Sequence, residues 1–262
     1  MLSRLACTSM PAPRIAADEL IELFGRTATA VRDVLEPVTG TERRARTQRP
    51  GQYAIDLIAD AAALQVLADA PVSVLSEESG VTKMSGSEVT VVIDPVDGST
   101  NAARGLSYWA TSICAVDADG PLAALVINQA TGTCSTAVRG GGAWRDAVSV
   151  RTPPVERVEE SVICLSGAPA TVLPWRQFRA MGSAALSLCD VAAGVVEGYV
   201  DAVGTHGPWD YLGGLLICSE AGAVVTEAQG RELVTLDYEA RLQIMAASTP
   251  ALMEELMKAL RT

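Results

Sequence analysis

At 262 residues and 49% hydrophobic content, the chain can form one compact unit or two closely packed halves, and it needs no covalent staples to fold. A formal charge of −11 argues against nucleic acid or an anionic membrane as partner, and it would repel a phosphorylated ligand unless cations intervene. No run reaches the roughly 20 apolar residues of a membrane helix, and the scattered cysteines, with no Cys-x-x-Cys pair, read as buried thiols of a cytoplasmic protein.

Residues 1–13 read as a disordered tail, followed by an N-terminal half over 14–145 and a C-terminal half over 146–262. Leu20, Leu23, Phe24, Val31, Val34 and Leu35 recur at helical spacing, with Asp18 and Glu19 favourably placed in the first turn. Residues 40–50 form a basic loop in an acidic chain: either a solvated connection or a mobile flap whose Arg46 or Arg49 approaches a phosphate. A second helix is predicted over 54–70, with Ile55, Leu57, Ile58, Leu64, Val66 and Leu67 inward and Asp56 and Asp60 on one face. Val72 to Leu75 then runs as a strand into Ser76-Glu77-Glu78-Ser79.

The central stretch is Val91-Val92-Ile93-Asp94-Pro95-Val96-Asp97-Gly98-Ser99-Thr100-Asn101. Its β-branched run suits a strand covered on both faces, and Pro95, lacking an amide proton, predicts that the chain leaves the sheet there. Gly98 permits a tight turn, after which Ser99, Thr100 and Asn101 offer donors at a helix start. Asp94 and Asp97 can reach one hard cation across such a bend, although Asp-Pro-x-Asp-Gly is also ordinary turn chemistry. Strands over 109–116, 122–128 and 133–138, separated by the turn signals Asp119-Gly120 and Thr131-Gly132, suggest an antiparallel meander.

The second half alternates strand and helix signals: strands at 161–165, 199–201, 223–226 and 244–247, and helices at 183–193 and 209–220. A last helix is capped by Thr249 with Pro250 in its first turn. Gly207-Pro208-Trp209-Asp210 adds a third acidic element, and the single histidine, His206, stands beside it. No Gly-x-Ser-x-Gly elbow accompanies that histidine, which argues against a Ser-His-Asp hydrolase.

Glu77-Glu78-Ser79, Asp94 to Asn101 and Trp209-Asp210, in that order, resemble the signatures of the inositol monophosphatase family, with weaker similarity from about Ala54 onward. The resemblance implies a layered α-β-α-β-α sandwich, an α+β and α/β arrangement of the sugar phosphatase type. It implies a cytoplasmic, homodimeric, lithium-sensitive hydrolase that uses two or three Mg²⁺ ions on a small polyol or sugar phosphate. The first expected substrate is myo-inositol monophosphate. Histidinol-phosphate or fructose-1,6-bisphosphate phosphatase on the same scaffold, and a non-catalytic regulatory binding protein, are the alternatives.

Carried over residue by residue, Glu77, Asp94, the Val96 carbonyl, Asp97 and Asp210 become metal ligands, and Gly98 and Ser99 phosphate contacts. The catalytic group becomes Glu77, Ser99 and Asp56, with one ion activating water and a second stabilising the leaving alkoxide. Asp97, Gly182, Ser183, Ala184 and Asp201 become substrate contacts. The family's threonine after Asp-Leu-Val is missing here, its loop lysine is absent, and about two extra residues precede Trp209. Matching the Asp-Leu-Val pattern, with a two-residue deletion, selects Asp56 as the supporting acid, the assignment preferred here, whereas counting back from Glu77 without gaps aligns the family's later acid with Asp60 and leaves Ala54 where the functional acid belongs.

Overall fold

The computed structural model describes residues 15–260, so the tail expected at 1–13 lies outside the described residues. The chain opens with α1 (Ala17–Leu35), whose buried Leu20, Leu23, Phe24, Val31 and Leu35 make one apolar face, and Glu19 accepts the Ala16 amide at 3.0 Å. A single turn, α2 (Gly40–Arg43), leads to α3 (Ala54–Leu67), which packs on α1. That helix buries Ile55, Asp56, Ala59, Asp60, Ala63 and Leu67, and leaves Leu57 and Ile58, expected inward, 46% and 41% exposed. Its inner face is the narrow one made by small residues and acids at three- and four-residue spacing, because that face alone fits against the sheet.

The first sheet follows: β1 (Ser73–Ser76), β2 (Gly80–Thr82), β3 (Thr90–Asp97), then α4 (Ser99–Arg104), β4 (Ala110–Asp117), β5 (Gly120–Asn128), β6 (Cys134–Val138), β7 (Gly142–Arg145) and β8 (Val148–Val150). Its order is β2-β1-β3-β4-β5-β6-β7-β8, with β1 and β3 parallel and every other neighbour antiparallel. The chain does not leave the sheet at Pro95. Instead β3 continues to Asp97, and its ladder with β4 shifts register between Asp94 and Asp97, so the proline without an amide proton sits where none is needed. The meander also extends by two strands beyond those expected, around the glycine-rich turn whose Gly140 and Gly142 amides donate to Glu220 at 2.7 and 2.9 Å.

The second sheet comprises β9 (Val162–Ser166), β10 (Gln177–Arg179), β11 (Gly198–Asp201), β12 (Val224–Glu227) and β13 (Ile244–Ala247), in the order β10-β9-β11-β13-β12. Between the sheets lie α5 (Ala184–Ala192) and α6 (Pro208–Ala221). Beyond the second sheet lies α7 (Pro250–Leu256), with Thr249 accepting from the Leu252 amide as its cap. The layers are thus α1 and α3, first sheet, α5 and α6, second sheet, α7: the expected α-β-α-β-α sandwich. One core joins α1 and α3 to the first sheet, and a second core wraps α5 and α6. Among the described residues no helix is long and apolar enough to cross a membrane.

Candidate active site

The parallel pair β1 and β3 delivers two acidic turns to the same end of the sheet, since Ser76 stands opposite Ile93 and the next residues are Glu77 and Asp94. The start of α6 brings Asp210 to them, and Ser112 of β4 holds that helix start by donating to the Trp209 carbonyl at 3.2 Å. Trp209 itself is buried, its ring 5.2 Å from that of Tyr238. Oxygens of Asp94, Asp97 and Asp210 all lie within 4.8 Å of one another.

Each of these carboxylates has one oxygen pinned by a backbone amide. Asp94 Oδ1 accepts from Val96 N at 2.8 Å, Asp97 Oδ2 from Ala185 N at 2.8 Å and Asp210 Oδ2 from Gly207 N at 2.7 Å. The same Asp97 oxygen accepts from Ser183 Oγ, the cap of α5. Val96 falls in the register shift of β3, outside the ladder. Gly98 has a left-handed backbone (φ 88°), and a Cβ there would stand 2.9 Å from the Gly182 carbonyl oxygen, so the turn needs glycine twice over.

Electrostatics mark the same residues. Burial, then Glu77, Asp97 and Asp210, push the Asp94 carboxyl well above the usual range. Glu77 sits against Asp94 and is raised likewise by burial, Asp210 and Glu78. Asp97 rises to about 6 through burial and Asp210, against the pull of Ser183 and Ala185. Among the described residues no lysine or arginine pairs with Asp94, Asp97 or Asp210. Crowded carboxylates with no lysine or arginine among them and only oxygen donors fit a hard divalent ion such as Mg²⁺.

The two acids of α3 differ. Asp60 is satisfied, taking hydrogen bonds from Ser76 Oγ and Ser79 Oγ. Asp56 occupies the third position of the helix, where one oxygen accepts the Tyr53 amide at 2.8 Å and Oδ1 is buried with no partner. Burial, then Glu78, raise its carboxyl to about 7, although the Tyr53 amide and Arg46 oppose them. Ser99, half-buried at the start of α4, makes no bond to Asp56 here, so the expected contact is not formed.

A cleft of about 270 Å³ opens beside Asp97, lined by Gly182, Ser183, Ala184, Tyr199 and His206. Asp201 is not at its wall: it is fully buried, and its oxygens accept from the Val203 and Gly204 amides at 2.9 and 3.0 Å. A short acid two residues before a turn caps that turn instead of facing a ligand. Arg49 likewise turns from the site to Glu78, 3.5 Å away. His206 had no positive sequence signal beyond its place four residues before Asp210. Its Nε2 lies 2.7 Å from Tyr199 Oη and its Nδ1 3.5 Å from Asp210. Burial opposes its charge, but Asp210, Asp201 and Asp97 outweigh burial and raise the imidazole to about 9.

Residues 17–262 match the profile described as the inositol monophosphatase family. The chain is 33% identical over 204 residues to an Archaeoglobus fulgidus protein named fructose-1,6-bisphosphatase/inositol-1-monophosphatase, covering 74% of this chain and 78% of that one. It is 33% identical over 195 residues to Nus factor SuhB of Vibrio cholerae, covering 67% and 68%. A Pyrococcus horikoshii protein solved as hypothetical, with similarities for inositol-1 monophosphatase, superposes with a TM-score of 0.85 at 22% identity, covering 94% of this chain and all of that one, and shows the shared fold. A matching profile over nearly the whole chain, together with the buried acidic cluster, establishes that this chain belongs to the inositol monophosphatase family of metal-dependent phosphatases.

Proposed function

We propose that the chain hydrolyses a small polyol or sugar phosphate with Mg²⁺ as cofactor, and that myo-inositol monophosphate is its first substrate. The observation that carries this reading is the trio of Asp94, Asp97 and Asp210, two of them buried, crowded together with no lysine or arginine among them and only the His206 imidazole, beside Asp210, to offset their charge. In a chain of charge −11, such a pit repels a phosphate dianion until metal reverses the local field. We assign one ion to Glu77, Asp94 and the Val96 carbonyl, and a second to Asp94, Asp97 and Asp210. Bound there, the cations supply Lewis-acid stabilisation of phosphoryl oxygens and lower the pKa of water.

The chain's own residues do the positioning. The hydrogen bonds that backbone amides donate to Asp94, Asp97 and Asp210 fix each carboxylate before any ligand arrives and leave its other oxygen available. Gly98 and Ser99 are assigned to the phosphate and Gly182, Ser183 and Ala184 to the ring, through the cleft they line. Asp201 supports its own turn. Asp56, raised to about 7, is assigned to accept a hydrogen bond from the Ser99 hydroxyl, which frees that oxygen's lone pairs for the attacking water, with Glu77 as its second partner.

Purified protein should release phosphate from myo-inositol monophosphate only with Mg²⁺, and Li⁺ on the order of millimolar should inhibit it. Fructose-1,6-bisphosphate and histidinol phosphate complete the panel. No Mg²⁺-dependent release from any ester would overturn the reading in favour of a regulatory binding protein. We also propose a homodimer, which sedimentation of the metal-loaded protein checks.

A further inference from the structure

Chemistry at the acidic pit leaves the basic residues of 40–50 without a role. In the structure, residues 44–54 fold into a small hairpin rather than an open loop: Arg46 bridges Tyr53, and the Ala54 amide donates to the Ala45 carbonyl at 2.9 Å. Arg44, Arg46, Tyr53 and Arg104 line a pocket of about 180 Å³. The Arg46 guanidinium is held over the Tyr53 ring at 3.7 Å, donating to Tyr53 Oη at 2.7 Å and to the Gly51 carbonyl at 2.9 Å. Tyr53 is buried, and its hydroxyl stands 3.5 Å from Thr100 Oγ1. Thr100 and Arg104 are four residues apart on α4 and so share a side of it.

The pocket adjoins the reaction centre, since Thr100 follows Ser99 and Arg46 lowers the pKa of Asp56. Among the described residues Arg44, Arg46 and Arg104 have no acidic partner within 4.0 Å, as several other arginines do not; what sets these three apart is that they converge on one pocket. In a chain with 31 acids against 20 lysines and arginines, a pocket whose charged lining is three arginines and no acid is set up for an anion. The volume is below the range of about 300–1,000 Å³ that takes a whole small ligand, so the pocket suits one anionic group. The Arg46 guanidinium is fixed by its stack on Tyr53, and guanidinium groups match the oxygens of phosphate.

We infer that Arg44, Arg46 and Arg104, with Tyr53 beneath Arg46, form a subsite for one phosphate-type dianion distinct from the phosphate that is hydrolysed. Only its placement beside the reaction centre rests on the proposed function. The dianion is either a second phosphate on the substrate or free inorganic phosphate. Inorganic phosphate should be titrated calorimetrically into the full chain in excess chelator, where the bare carboxylates reject anions and this pocket is left to bind. The double variant Arg44→Gln/Arg104→Gln, both exposed positions, should weaken that binding by about tenfold or more.

With Mg²⁺ present, KM for a bisphosphate and for a monophosphate are then compared. If the occupant is a second substrate phosphate, the double variant raises the bisphosphate-to-monophosphate KM ratio by about tenfold. If it is free phosphate, that ratio holds and the binding of inorganic phosphate alone weakens. Phosphate affinity and KM ratio that both stay within about twofold, in a variant of unchanged Tm, overturn the subsite. Phosphate binding lost in the double variant of a chain that turns over no ester supports the subsite while the catalytic assignment fails.

Discussion

Glu227 and Asp94 are each 2% exposed, but Glu227 lies near the surface under a half-exposed Arg231 while Asp94 lies deep, and their surroundings pull the two carboxyls in opposite directions. Glu227 accepts from the Arg231 guanidinium at 2.6 Å and from the amides of Gln229, Arg231 and Gln243 at 2.7, 3.1 and 3.2 Å. Burial alone would raise its pKa, but these donors hold it at about 2. Asp94 has a single amide donor and faces Glu77, Asp97 and Asp210, so burial and like charge both raise it. A buried acid surrounded by donors is scaffold; a buried acid surrounded by acids is a place prepared for a cation.

The largest expected effect tests that distinction directly. Asp94→Asn should cut Mg²⁺-dependent phosphate release by about a thousandfold or more, roughly 4 kcal/mol of barrier, because this carboxylate serves both proposed ions. Substantial turnover by the variant would break the comparison at its functional end. Stability should respond with opposite signs: in excess chelator at pH 7, Asp94→Asn raises Tm by relieving the crowding of Asp94 with Glu77, Asp97 and Asp210. Under the same conditions Glu227→Gln lowers stability by about 1–3 kcal/mol in urea unfolding, because its donors lose their acceptor charge. Equal signs would mean that the two settings do not differ as described.

Acid and base then sharpen the contrast. Asp97 at about 6 and Asp56 at about 7 stand above the unfolded value of about 3.9, so between those limits the folded chain binds more protons than the unfolded one. Their contribution is therefore greatest in acid and declines as pH rises through 7. Glu227, lowered to about 2, works the other way: its stabilisation is present above the unfolded value and is lost as pH falls through 2. Metal-free protein should thus lose Tm between pH 4 and pH 7, and saturating Mg²⁺ should raise Tm more at pH 8 than at pH 5. A Mg²⁺ effect that is flat with pH would detach the raised carboxylates from the cation site.

Asp94, Asp97 and Asp210 could be read from the sequence because each stands where an apolar run meets a turn or a helix start, a local signal that survives folding. Alternation in the second half likewise reported the layers. What could not be read depends on partners distant in sequence. The edge strands β2, β8 and β10 have no buried alternation, and β7 takes its register from a glycine turn whose amides are held by Glu220, 78 and 80 residues away. Asp201 fitted a sequence pattern, but the turn after it claimed both its oxygens. Arg49 was a free cation on paper until Glu78 was placed beside it.

The same contrast, reduced to its smallest scale, separates two acids one turn apart on α3. Asp60 resembles Glu227: Ser76 and Ser79 satisfy it and tie the helix to the end of β1, so its work is to hold the strand that presents Glu77. Asp56 resembles Asp94: an oxygen is buried with no partner, and Glu78 raises its pKa after burial does. Asparagine at 60 can still accept one hydroxyl and should cost about 1 kcal/mol of stability with little change in turnover. Asparagine at 56 removes the charge proposed to hold the Ser99 hydroxyl. At saturating Mg²⁺ it should lower kcat about tenfold, 1.4 kcal/mol of barrier, without loss of Tm in chelator. Measuring kcat and Tm for both variants decides the matter, and the reverse ranking would transfer the proposed role to Asp60.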